Sequence, residues 1–145
     1  MENKDYTKEH VFKYLQSYDI RPSVQRLAIM QYLLTHRTHP TIDEIYRELS
    51  STIPTLSRTT VYNTLKLFVK KGASQLLTID DNCVCFDGDL TPHAHFLCED
   101  CRKIYDIPVA EDKICRPEKP LENFIVNDSQ LFYRGLCPTC AAKRN

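Results

Sequence analysis

The 145-residue chain has no apolar run approaching the roughly 20 residues that a membrane-crossing helix needs, so a helical membrane protein is excluded. An apolar signal core is missing too. Met1 to Asn3 lead into charged sequence, and the expectation is a cytoplasmic protein that is not exported. No internal repeat and no low-complexity segment is present. There is also no net charge, because 19 Lys and Arg balance 19 Asp and Glu. Taken as an average, that balance argues against a strongly basic, charge-driven nucleic-acid binder. Finally, no His-Glu-x-x-His helix is present to build a zinc hydrolase. No catalytic residue is assigned, and an enzyme is not expected. What remains, with 42% hydrophobic and 26% charged residues, is ordinary globular composition for one compact domain or two small ones.

Cysteine, by contrast, is plentiful. Seven cysteines in a chain without an export signal are unsuited to structural disulfides, and an odd number cannot pair completely. Four of them form Cys98-Glu-Asp-Cys101 and Cys137-Pro-Thr-Cys140. Each Cys-x-x-Cys supplies two thiolates from one tight turn, and two such pairs match a tetrahedral structural zinc site. A dithiol redox switch is the competing reading. His93-Ala-His95 places two imidazoles on one side of a strand. Asp87 precedes them, Asp106 follows on the next strand, and His39 lies at a helix junction. Nitrogen and carboxylate donors suit iron(II), manganese(II) or zinc; the bland alternative is exposed histidines and turn aspartates. Cys83 and Cys85 share one strand face and read as small apolar groups or soft donors, and Cys115 reads as structural.

The first half carries helical periodicity. Thr7 to Tyr18 spaces Val11, Tyr14, Leu15 and Tyr18 helically. Pro22-Ser23 starts a second helix, and Thr41 with Glu44 forms a capping box before a third. Ser57 caps a fourth, which ends near Gly72. Leu76 to Ile79 and Cys83 to Phe86 then read as a hairpin around Asp80-Asp81-Asn82. That order is expected of a winged helix-turn-helix. In the second half Phe96-Leu97, Ile104-Tyr105, Phe124 to Val126 and Leu131 to Tyr133 read as strands of a small sheet, with a short helix near Ala110 to Cys115. The fold class is therefore α+β. Residues 1–86 form a winged-helix DNA-binding domain, 87–93 a hinge, and 94–145 a small α/β dimerisation and metal-binding domain with structural zinc.

On the fourth helix Val61, Leu65 and Phe68 share the inner face. Thr59, Tyr62, Asn63, Lys66 and Lys70 lie opposite, a mixture of phosphate-seeking and base-touching side chains. Arg58 sits at its first turn, where backbone and cation together hold phosphate. Splitting the charge changes its meaning. Residues 1–72 hold 11 basic against 7 acidic side chains, and residues 73–145 hold 8 against 12. The zero is a cancellation of +4 and −4, which suits a DNA-binding half joined to a cation-binding half. So modest an excess makes affinity depend on dimerisation and a few contacts.

These residues resemble the ferric uptake regulator (Fur) family of metal-dependent bacterial repressors. The matching segments are His39-Pro-Thr-Ile-Asp-Glu-Ile-Tyr46, Thr60-Val-Tyr62-Asn63-Thr-Leu65, Cys85-Phe-Asp87, His93-Ala-His95-Phe-Leu-Cys98-Glu-Asp-Cys101 and Gly135-Leu-Cys137-Pro-Thr-Cys140. The resemblance implies a homodimer that binds palindromic double-stranded operator DNA, with Tyr62 and Arg26 among the DNA-contacting residues. It implies structural Zn(2+) in the four cysteines and a regulatory Fe(2+) or Mn(2+), or Zn(2+), held by His39, Asp87, His93, His95 and Asp106. Asp106, where iron-uptake regulators usually carry Glu, and Pro92-His-Ala-His95 favour the peroxide-sensing (PerR-type) branch. In that branch iron-catalysed oxidation of a ligand histidine, here His39 or His93, releases DNA. The alternative within the family is an iron- or zinc-uptake regulator that senses metal supply. Departures include Ser23-Val-Gln-Arg26 at the second helix start, Arg102 in place of a common glycine, and Asn127-Asp128 where many members carry histidines.

Overall fold

The computed structural model describes residues 6–80, 84–110, 117–126 and 128–144. The chain divides into two compact units, Met1–Leu90 and Thr91–Asn145. The first contains α1 (Lys8–Ser17), α2 (Val24–Thr35), α3 (Ile42–Ser50), α4 (Arg58–Lys71), β1 (Gln75–Leu77) and β2 (Cys85–Asp87). Each of these helices begins on a hydroxyl. Thr7, Ser23, Thr41 and Ser57 accept from the backbone N–H three residues on, satisfying a donor that the helix itself leaves open, each at about 1 kcal/mol. Ser23 caps without help from the proline before it. Thr41 and Glu44 complete a reciprocal capping box. Gly72 ends α4 at φ 79°, a left-handed position that costs glycine nothing.

The inner faces of these helices bury Val11, Leu15, Ile29, Met30, Leu33, Ile45, Val61, Leu65 and Phe68 in one core. Tyr14 closes it by donating to the Ala73 carbonyl at 2.8 Å. β1 and β2 pair antiparallel, with Leu76 opposite Phe86. They form the wing that follows α4 in the chain. Phe86 N–H bonds to the Pro40 carbonyl at 3.0 Å, and Cys85 forms a bridge with Thr41. The wing is thereby stitched to the α2–α3 connection.

The second unit is a three-stranded sheet of order β4-β3-β5, with β3 (His93–Cys98) at the centre. β4 (Ile104–Pro108) is antiparallel to it and β5 (Phe132–Gly135) parallel. A short α5 (Pro138–Ala142) follows. β1 and β2 are shorter than the hydrophobic runs indicate, whereas β3 and β4 extend beyond Phe96-Leu97 and Ile104-Tyr105. β2 takes in Asp87 and β3 takes in His93, so the connection between them is the turn-rich segment Gly88 to Pro92. Phe124 to Val126 is not a strand. Asn123 adopts a φ of 66°, Phe124 N–H bonds to the Leu121 carbonyl, and the three side chains are 72%, 90% and 57% exposed. An apolar run signals burial but not what covers it. The Asp81-Asn82 turn, Cys83, the helix near Ala110 to Cys115, and Asn127 lie outside the described residues. Among the described residues no helix is long and apolar enough to cross a membrane.

Candidate metal centres and nucleic-acid interface

The four paired cysteines converge. Cys98 ends the central strand, Cys101 lies in the following turn, Cys137 caps α5 and Cys140 sits within it. Their sulfurs all lie within 4.8 Å of one another, with Cys101 Sγ and Cys137 Sγ 4.0 Å apart. Tetrahedral zinc with Zn–S bonds near 2.3 Å needs sulfur separations of about 3.8 Å, so the donors fit that ion. Arg102, which follows the second cysteine, adopts a φ of 65°. The site bends through a glycine-type conformation there without a glycine.

The thiols are already polarised. Cys98 is lowered to about 6, first because the Cys137 N–H donates to its sulfur, at 3.4 Å. Cys137 is also lowered, first by a backbone hydrogen bond from Cys140 and then by the Tyr105 hydroxyl. Cys140 is pushed up to about 12, chiefly by its hydrogen bond to the Cys137 sulfur. Tyr105, which also donates to Cys137, is likewise raised to about 12. Two thiolates held by fixed donors are a prepared metal-ligand set. The arrangement ties β5 and α5 to the middle of the sheet.

Nitrogen and carboxylate donors occur as one group in each unit. In the second unit His93 Nε2 and His95 Nε2 are 2.9 Å apart, and Asp106 Oδ1 lies 3.3 and 3.5 Å from them. The sheet register produces this grouping. His93 and His95 project on one face of β3, and His95 is directly opposite Asp106 on β4. Thr91 O accepts at 2.6 Å from His93 Nδ1, which directs Nε2 toward the cluster. Donors about 2.1 Å from one ion at right angles are about 3 Å apart, so these three side chains fit a shared ion. In the first unit His39 Nε2 faces Asp87 Oδ2 at 3.5 Å, both side chains being 3% exposed. His39 has a φ of 55°, a strained backbone of the kind found at functional positions.

The outer face of α4 exposes Thr59, Tyr62, Asn63, Lys66 and Lys70. Tyr62 is half exposed, with Lys66 Nζ 6.0 Å from its ring centroid. Arg58, at the first turn of α4, has partners within the protein. It bonds Asp43 Oδ1 at 2.9 Å and lies 4.7 Å over the Tyr46 ring, anchoring α4 to α3. Both members of that pair are about two-thirds exposed, so it contributes little energy and can exchange for phosphate. Arg26 donates to the Arg21 carbonyl at 2.8 Å. A cleft of about 620 Å³ between the start of α2 and α4 is lined by Arg21, Ser23, Arg26, Thr60 and Asn63 among others. Neither Asp43 as the partner of Arg58 nor Arg21 in this cleft was expected from sequence; the Asp43–Tyr46 spacing ahead of a basic helix start was the available signal.

This combination of a winged helix, a four-thiol centre and His/Asp donor groups matches one family. The ferric uptake regulator family profile covers residues 17–133. The chain belongs to the ferric uptake regulator family. As a Fur-family protein it is a metal-dependent transcriptional repressor and not an enzyme, and its four-cysteine centre fits structural zinc. It is 35% identical over 144 residues, 99% of its own length and 97% of the relative's, to the peroxide-responsive repressor PerR of Staphylococcus aureus strain Mu50. It resembles the solved PerR of Streptococcus pyogenes with 30% identity, 92% coverage of each chain and a TM-score of 0.51. It also resembles the Campylobacter jejuni peroxide stress regulator with 25% identity, 97% and 100% coverage and a TM-score of 0.64.

Proposed function

We propose that this Fur-family repressor senses peroxide. In this reading Cys98, Cys101, Cys137 and Cys140 hold structural zinc, and His39, Asp87, His93, His95 and Asp106 hold the regulatory ion. Because those five donors are split between the two units, occupancy couples them and makes DNA binding conditional on metal. The homodimer binds a palindromic operator, with Arg26, Arg58, Thr59, Tyr62, Asn63 and Lys66 at the DNA. The exposed apolar run Phe124 to Val126 and Leu121 supports a partner-covered surface in the second unit.

The observation that carries the peroxide reading is the Asp106 carboxylate within 3.5 Å of two ligand-type imidazoles. A short, oxygen-only donor beside neutral nitrogens suits iron(II). When bound, iron(II) supplies the redox chemistry that cleaves peroxide. The chain's own contribution is to hold an oxidisable imidazole within reach. In net terms an imidazole C–H and hydrogen peroxide give an oxo-imidazole and water, with no external reductant. The modified His39 or His93 is a poorer donor, and the protein leaves DNA.

The test compares iron(II)-loaded and manganese(II)-loaded protein after one equivalent of peroxide. Peptide mass spectrometry is expected to find one added oxygen atom at His39 or His93 in the iron form alone. That form is also expected to lose binding to duplexes selected by the manganese form. Unmodified histidines and retained DNA binding in the iron form would leave a regulator of metal supply. Cys85, a buried thiol two residues from Asp87 on β2, is the feature that favours zinc in that second reading.

A further inference from the structure

We infer that Arg37 and Asp89 are positioning residues that aim the Asp87 carboxylate at the regulatory metal, so that metal affinity is set in part by an ion pair lying outside the ligand set. The inference rests on the reading of Asp87 as a regulatory ligand.

Asp87 is 4% exposed, at the end of β2. Its two oxygens have different tasks. Oδ1 accepts from the Asp89 backbone N–H at 2.8 Å, and Oδ2 faces His39 at 3.5 Å. Fixing one carboxylate oxygen fixes the direction of the other, which is how partners around a site orient the ligands of a metal. The N–H that does this belongs to a two-residue turn, and two features hold the turn. Gly88 is buried, and a Cβ there would lie 3.0 Å from the Leu33 carbonyl oxygen, so the turn is pressed against α2. The Asp89 side chain is then gripped by Arg37 Nη1 at 3.2 Å, with side-chain exposures of 57% for Arg37 and 17% for Asp89. Arg37 stands two residues before His39. One short segment thus supplies both a ligand and the clamp on the turn that orients its neighbouring ligand.

Charge and position predict opposite signs. By charge alone, removing a cation near a cation-binding carboxylate strengthens metal binding. By position, removing Arg37 frees Asp89, loosens its N–H from Asp87 and weakens metal binding by about 10-fold. The experiment titrates manganese(II) into the full-length zinc-containing protein and follows free ion by electron paramagnetic resonance. The variants are Arg37→Met, Arg37→Lys and Asp87→Asn. A second readout needs no regulatory metal: the chemical shift and exchange rate of the Asp89 amide by NMR.

We expect Arg37→Met to bind manganese about 10-fold more weakly, with Arg37→Lys recovering most of the loss. The Asp89 amide of Arg37→Met should shift upfield and exchange faster, with zinc content and melting temperature unchanged. Manganese binding as tight as, or tighter than, wild type in Arg37→Met, alongside loss of binding in Asp87→Asn, overturns the inference and leaves the site assignment standing. Unchanged binding in Asp87→Asn removes the site assignment itself, and the inference with it.

Discussion

Replacing Cys98 with Ser tests whether the second unit is held by its metal rather than by its core. Among the described residues, that unit fully buries only Ala94 and Leu97 besides Cys98, Cys137 and Cys140 and the polar His95. A buried leucine contributes about 1.5–3 kcal/mol and an alanine less. Structural zinc in small domains contributes about 10–16 kcal/mol, several times the aliphatic burial. Cys98 is the telling position. It ends the central strand and accepts the Cys137 N–H, so its loss detaches β5 and α5 from the sheet as well as removing a donor. Zinc per chain should fall from one to near zero. NMR amide signals from β3, β4 and β5 should collapse to unfolded positions. The first unit, with its separate fourteen-residue core, should keep its dispersed spectrum. Leu97→Ala is the control, expected to cost about 2–5 kcal/mol and lower the melting temperature while zinc stays bound. If Cys98→Ser retained one zinc per chain and a native β3–β5 spectrum, the argument that the ion organises this unit would be refuted.

Two further outcomes follow from the same geometry. Lys66→Ala, at an exposed position on α4 beside Tyr62, should weaken binding to duplex DNA regardless of sequence and reduce the salt slope by about 1; an unchanged slope would take Lys66 off the phosphate backbone. The zinc centre should be acid-labile: Cys98 is depressed to about 6 and Cys137 is depressed even without metal, and bound zinc holds thiolates further against protons, so the site should stay loaded at neutral pH and empty only as pH falls below about 6. Zinc released into a chromophoric chelator should rise on acidification through that window and stay flat on the alkaline side, and release that increased with rising pH would contradict the sign.

What could be read in the sequence was whatever a local rule determines. Thr7, Ser23, Thr41 and Ser57 announce helix starts because a hydroxyl three residues ahead of an N–H is a local geometry, and Gly72 announces an end for the same reason. The two Cys-x-x-Cys pairs and His93-x-His95 needed only the spacing of a turn and the two-residue period of a strand. Asp106 became legible through register, since the strand after a short turn runs back along its neighbour and brings it opposite His95. The residues that escaped are those whose partners are chosen by packing. Arg37 and Asp89 are 52 positions apart, and their meeting depends on a glycine pressed against the Leu33 carbonyl. The partners of Arg58 escaped as well, because Asp43 and Tyr46 reach it only once α3 and α4 pack together. Arg102 shows the limit from the other side. A missing glycine suggests a lost turn, yet the backbone keeps the left-handed bend. A metal site of four converging thiols can hold one residue in a conformation that costs about 1–2 kcal/mol, because the zinc it serves is worth many times more. Of the four non-glycine residues with positive φ among the described ones, His39 and Arg102 adjoin donors while Asp19 and Asn123 do not, so such a bend guides one to this protein's chemistry only where a donor stands beside it, as its net charge of zero never does.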